Sequence, residues 1–177
     1  MIAGFPGSAW SMDALVIDAF EFCRLKEHRT GKIQVADLPR LAQESVGQAG
    51  SVDWSLQGGY SSRGHPQLVL KVDGSVRLMC QRCLTPFDST IDSGATLVLA
   101  PDEGSADEMD AMLADENVEV IVGSHEFSIA ELVEDDALLA VPLAPKHETC
   151  PDQLAAPLPE GEKKPSPFAV LKDLKKS

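Results

Sequence analysis

Apolar and polar positions alternate most clearly between residues 52 and 100 of this 177-residue chain. Val76, Leu78 and Cys80 share one parity while Arg77 and Met79 share the other, the period of a strand that buries one face. The pattern predicts strands at Val52–Tyr60, Gln67–Val72, Val76–Cys80 and Phe87–Ala100, separated by Gly-Gly, Asp73-Gly74 and Thr-Pro signals. Asp73-Gly74 is a tight-hairpin dipeptide, and Gly94 is a candidate bulge. Upstream, Gly31 opens the alternating run Lys-Ile-Gln-Val, a short strand, and Asp37–Glu44 follows as a helical turn carrying Leu38 and Leu41. Residues 14–27 are apolar without clean alternation and suit either a short helix or an extended arm.

Downstream, Val118–Val122 and His125–Phe127 read as a small hairpin about Gly123. Ser128 then stands three residues before Glu131, the spacing of a capping box. The helix it opens runs from Ile129 to about Val141, buries Leu132, Val133, Leu138 and Leu139, and ends at Pro142 and Pro145. A coil carrying Lys146–Cys150 follows. Pro-rich residues 151–167 form a linker, after which Phe168, Leu171 and Leu174 recur among Lys172, Lys175 and Lys176 as a short amphipathic tail helix. The expected architecture is α+β: an antiparallel, partly closed β-sheet with a packed helix and a C-terminal helical tail. Residues 1–150 form the single domain and 151–177 the appendage.

Composition changes this picture in three places. Hydrophobic residues make up 44% of the chain and charged residues 24%, so it is globular and long enough to bury a core. A formal charge of -13 opposes a protein with a whole face on nucleic acid, because phosphate binding needs clustered Lys and Arg; any RNA contact must be local. Residues 101–119 hold eight acidic residues and no Lys or Arg, and read as a solvated acidic loop. No uncharged apolar run approaches the roughly 18 residues that span a bilayer, and the apolar start lacks a basic leader, so the expectation is a soluble cytoplasmic protein with no membrane partner.

The candidate chemistry centres on Cys80 and Cys83. Residues three apart on a straight strand face opposite ways, so the two thiols share a ligand only if the chain turns between them, which Pro86 and the flanking strands favour. His147 and Cys150 repeat the spacing, and four such donors complete a tetrahedral Cys3His zinc site. Three readings stay open: thiols that shape and pack a turn, placed first; a zinc centre, second; and a redox pair, third, since the flanks are strands without a βαβ pattern. Cys23 reads as a core thiol, and His65 and His125 as ordinary loop residues. Arg77 and Arg82 beside the first thiols, with Lys146, are candidate phosphate contacts. Phe168, Lys172, Lys175 and Lys176 are the tail's candidate partner or RNA contacts.

Taken in order, Gly31-Lys-Ile-Gln-Val, Val76-Arg-Leu-Met-Cys-Gln-Arg-Cys-Leu-Thr-Pro-Phe, Leu138-Leu-Ala-Val-Pro-Leu-Ala-Pro-Lys-His and Lys164-Pro-Ser-Pro-Phe-Ala-Val-Leu-Lys-Asp-Leu resemble the YceD family of large ribosomal RNA subunit accumulation proteins. The likeness runs from about Phe20 to the C-terminus and is weakest over the acidic stretch. It implies a non-catalytic bacterial cytoplasmic factor needed for normal levels of large-subunit ribosomal RNA and associated with ribosome assembly. Cys80, Cys83, His147 and Cys150 are the positions at which the family's suggested metal and nucleic-acid binding carries over. The acidic balance favours ribosomal proteins or assembly proteins as partners over bare large-subunit RNA. The alternative is a zinc- or thiol-dependent enzyme using the Cys-x-x-Cys motif, which needs an open metal position or a depressed thiol pKa.

Overall fold

The computed structural model describes residues Leu15–Pro151. Its centre is a five-stranded sheet of β2 (His28–Gln34), β3 (Gly50–Tyr60), β4 (Pro66–Met79), β5 (Pro86–Ala100) and β6 (Glu119–Val122), in that spatial order. The first three pairings are antiparallel and β5–β6 is parallel, so the α+β sheet is mixed, with open edges, where the sequence suggested an antiparallel and partly closed one. The parallel step arises because helix α3 (Glu103–Leu113) carries the chain back across the sheet before β6. A separate two-stranded pair joins β1 (Val16–Ile17) to β7 (Phe127–Ser128). The remaining helices are α1 (Ala19–Leu25), α2 (Pro39–Glu44) and α4 (Ile129–Ala140).

The alternation of residues 52–100 builds the core. Val52, Trp54 and Leu56 of β3, Leu68, Leu70, Val72, Val76 and Leu78 of β4, and Ile91, Leu97 and Leu99 of β5 are buried together with Phe22 of α1 and Ile129, Val133 and Ala137 of α4. At the end of β5 the alternation stops, because both faces are covered. Leu97 and Leu99 join this core, while Val98 and Ala100 pack against Met109 and Leu113 of α3. Helix α3 therefore lies on the face opposite α4.

Several local expectations are corrected. Asp73-Gly74 makes no turn: β4 runs straight through it, pairing Gly74 with Val52 on one side and Ile91 on the other. A Cβ on Gly74 would stand 2.3 Å from the Ser51 carbonyl oxygen, so the glycine serves close strand approach. Gly94 is not a bulge either, since β4 and β5 stay in register without a break from Gln67↔Val98 to Met79↔Pro86.

The acidic stretch is a helix rather than a solvated loop over residues 103–113. Asp102 caps it, accepting from the Ser105 backbone N–H at 2.8 Å, and Met109 and Leu113 lie four apart on the buried stripe while Asp107, Glu108 and Asp110 face solvent. Acidic residues at such a helix start favour it through the helix dipole. Nor do residues 118–127 form a hairpin, because β6 pairs with β5 and β7 with β1. Helix α4 begins as its capping spacing predicts, with Ser128 Oγ accepting from the Glu131 N–H at 3.3 Å. It buries Val133, with Leu132 and Leu138 half-buried, but Leu139 is 83% exposed.

Candidate metal centre at the hairpin tip

Long strands β4 and β5 extend together to a tip made of residues 80–85. Leu78 pairs with Phe87 and Met79 with Pro86, and then the chain must reverse. The Cys80 N–H donates to the Thr85 carbonyl at 3.0 Å, and the Leu84 N–H to the Cys80 carbonyl at 2.9 Å. Leu84 completes the reversal with φ +58°, in the left-handed region. This is the turn that two thiols three residues apart require. Cys80 continues the buried face of Val76 and Leu78, whereas Cys83 is half-buried.

The chain leaving α4 runs alongside this tip. The Gln81 N–H donates to the Pro145 carbonyl at 2.9 Å, and Arg82 donates through its guanidinium to the His147 carbonyl at 3.0 Å. These contacts set the His147 imidazole beside Cys83, with Nδ1 and Sγ 3.3 Å apart. The His147 N–H points to Cys80 Sγ at 3.5 Å, and Thr85 Oγ1 lies 3.1 Å from Cys83 Sγ. Phe87 stacks at a tilt on His147, their ring centroids 4.7 Å apart.

Donor atoms of Cys80, Cys83 and His147 all fall within 4.8 Å of one another, a group of two sulfurs and an imidazole able to coordinate a metal, and Cys150, the fourth donor expected from the sequence, is buried in the compact unit that begins at Glu148. Zinc bonds of ordinary length arranged tetrahedrally separate their donors by about 3.5–3.8 Å. The cluster is within about 1 Å of that spacing, and its sulfur and imidazole chemistry suits zinc.

Burial of Cys80 opposes ionisation of its thiol. Backbone hydrogen bonds from Cys83, His147 and Arg82, together with the His147 side chain, outweigh it and hold the pKa down at about 5. A sulfur in this setting is a thiolate at neutral pH, the form that ligates metals. The pair sits in a hairpin between strands rather than at the start of a helix, unlike a thioredoxin-type redox pair.

Of the other candidate residues, Arg77, Arg82 and Lys146 are exposed. Arg82 is at the tip against His147, while Arg77 lies on β4 with the parity opposite to Cys80. Phe168, Lys172, Lys175 and Lys176 lie outside the described residues. Cys23 is the core thiol expected, fully buried and donating to the Gln67 carbonyl at 3.1 Å. His125 is more than a loop residue, since its Nδ1 pairs with Asp18 across 107 positions. Sequence reading did not pick out Thr85 and Phe87, although both stand in the motif segment; only proximity in the hairpin reveals their part.

Residues 68–175 match the family model described as Large ribosomal RNA subunit accumulation protein YceD. A Haemophilus influenzae protein carrying that description is 31% identical over 175 residues, covering 91% of this chain and 95% of its own length. No solved structure matches the chain.

Proposed function

We propose, from the premise that this chain belongs to the YceD family, that it is a cytoplasmic, non-catalytic factor supporting accumulation of large-subunit ribosomal RNA. It acts by binding ribosomal or assembly proteins as the large subunit forms, with the RNA itself as a secondary, local contact. The observation that carries this reading is the family match over most of the chain. No described helix is long and apolar enough to cross a membrane, which agrees with it.

Cys80, Cys83, His147 and Cys150 would hold one zinc ion, which when bound supplies a cross-link between the hairpin tip and the coil after α4. Four protein donors leave no position for a substrate, which favours a structural centre over an enzyme's. The cationic groups assigned to this role are Arg82 at the tip, Arg77 on β4 and Lys146 in the coil beside the tip. They are too few for a phosphate-binding stripe on a chain of net charge -13, so a basic protein is the better-matched partner. The tail residues Phe168, Lys172, Lys175 and Lys176 are assigned to the same binding role from their sequence pattern alone.

The test is removal of the protein from its own cell. The ratio of large- to small-subunit ribosomal RNA should fall and recover with the wild-type chain, and recovery should be incomplete with Cys83→Ser. An unchanged ratio in the deletion strain overturns the proposal.

A further inference from the structure

Away from the thiols, a groove of about 320 Å³ runs between α4 and the β5–β6 side of the sheet. Leu97, Ile121, Phe127 and Leu132 make its apolar lining. Leu139, 83% exposed on the last turn of α4, stands at it without a place in the core. Its position extends the apolar lining of the groove to the surface, where a docked partner would cover the two together.

The charged groups around the groove all carry one sign. Glu119, Glu126, Glu131 and Asp136 line it, and no Lys or Arg pairs with them among the described residues. Asp135 lines it too but is engaged by Arg40. Asp136 is the informative one. It is only 9% exposed, and its Oδ2 is buried without a hydrogen-bond partner, so a side chain that lines the groove carries an unmet acceptor. Burial also pushes its carboxyl pKa up, against a lowering by the Ser93 hydrogen bond, the signature of a carboxylate short of compensation.

We propose that this groove docks a cationic amphipathic segment of a basic protein, with an Arg side chain reaching Asp136 and Glu131 and a neighbouring apolar side chain covering Leu132 and Leu139. The chemistry narrows the occupant. Phosphates are repelled by the carboxylates, so nucleic acid does not fit. A metal ion does not fit either, because the only group of at least three donors close enough for one, among the described residues, is the thiol and imidazole group at the hairpin tip. A guanidinium offers several donors in a fixed fork, and an apolar neighbour matches the lining. The inference deepens the protein-binding reading above by giving it a second surface and a class of partner.

The test uses the full-length protein and a fluorescein-labelled synthetic peptide of alternating Arg and Leu, read by anisotropy at physiological salt, beside the same peptide with Gln for Arg. The Arg peptide should bind and the Gln peptide should not. Asp136→Asn with Glu131→Gln should weaken binding about tenfold or more, and Leu139→Ser, an exposed position that leaves folding alone, severalfold. Removing equal charge from α3 with Asp107→Asn and Glu108→Gln controls for bulk attraction and should change affinity less than about twofold. Failure of the Arg peptide to bind, equal loss in the α3 control, no loss in the groove variants, or a labelled RNA that competes for the groove would each overturn the proposal. The ribosomal RNA ratio of the deletion strain, with and without the wild-type chain, is read without any peptide, so an unchanged ratio overturns the family-based function while a peptide that does not bind overturns the groove alone.

Discussion

Cys83 Sγ lies 3.3 Å from His147 Nδ1 although 64 positions separate the two residues in the chain. The sheet makes this possible by holding the β4–β5 tip rigidly enough for the coil after α4 to bond along it, through Gln81 and Arg82. Substituting either residue should therefore remove metal without unfolding the sheet. Cys83→Ser and His147→Ala are expected to lower bound zinc, measured by elemental analysis after dialysis, from about one equivalent to a small fraction of it. Far-ultraviolet circular dichroism should stay near that of the wild type.

The tilted stack of Phe87 on His147 orients the imidazole. Phe87→Ala should leave all four donors in place and weaken zinc affinity about 10–100-fold, the usual effect of losing a group that positions a ligand. Chelator competition measures it. An unchanged affinity would mean that the backbone contacts at residues 81–82 suffice.

Glu134 is 4% exposed at its side chain, and one of its oxygens accepts from the backbone N–H groups of Arg40 and Leu41, at 2.7 and 3.1 Å, while the other accepts from the Arg40 guanidinium at 3.0 Å. It joins the start of α2 to α4 over more than ninety positions of sequence. Glu134→Ala leaves two backbone donors unsatisfied and should cost about 1–3 kcal/mol. In urea titration the midpoint should fall with the slope unchanged.

Two glycines on neighbouring strands should respond differently to the same substitution. Gly74→Ala forces a methyl to within 2.3 Å of the Ser51 carbonyl oxygen and should destabilise by about 1–3 kcal/mol or more. At Gly59 a Cβ meets nothing within 4 Å, and Gly59→Ala should be close to neutral. Thermal melts of the two variants provide the comparison.

Asp18 and His125 form an ion pair whose two halves titrate in opposite senses. The backbone N–H of Glu21 and the His125 side chain lower the Asp18 pKa, and the Asp18 hydrogen bond raises that of His125. The histidine's contribution is complete below its unfolded value, about 6.5, and is lost as pH rises through the raised folded value. The aspartate's contribution is complete above its unfolded value, about 3.9, and is lost as pH falls through the lowered folded one. The difference in Tm between wild type and His125→Gln should thus be greatest between about pH 4 and 6.5 and shrink on the alkaline side. A difference that grows above pH 8 would contradict the pairing.

Strands were the most legible part of the sequence, because residues 52–59 and 87–95 carry a period of two that burial then follows, up to the end of β5 where both faces are covered. The Ser128 cap was legible for a similar local reason. What misled were residues whose local habit is overridden by neighbours distant in sequence. Asp73-Gly74 carries a turn signature, but a strand on each side demands the bare backbone that glycine provides. The acidic run hid a buried pair, Met109 and Leu113, with half-buried Ala106 packed against them, beneath its charge. Leu139 sits beside Leu138 in the pattern, yet the core needs only one of them. At the thiols, the donors were recognisable by type and spacing, whereas their meeting depended on the length of β4 and β5 and the exit path of α4, which no local pattern encodes.

The order of the donors along the chain has a temporal side. During synthesis the hairpin thiols leave the ribosome well before the imidazole, so an emerging chain presents a bare dithiol for the time taken to translate more than sixty further codons. The complete donor set exists only once α4 and the coil beyond it have been made. Metal capture, where it occurs, thus reports that the domain has been finished, and a truncated product lacking that coil would carry reactive sulfurs with no ion to shield them.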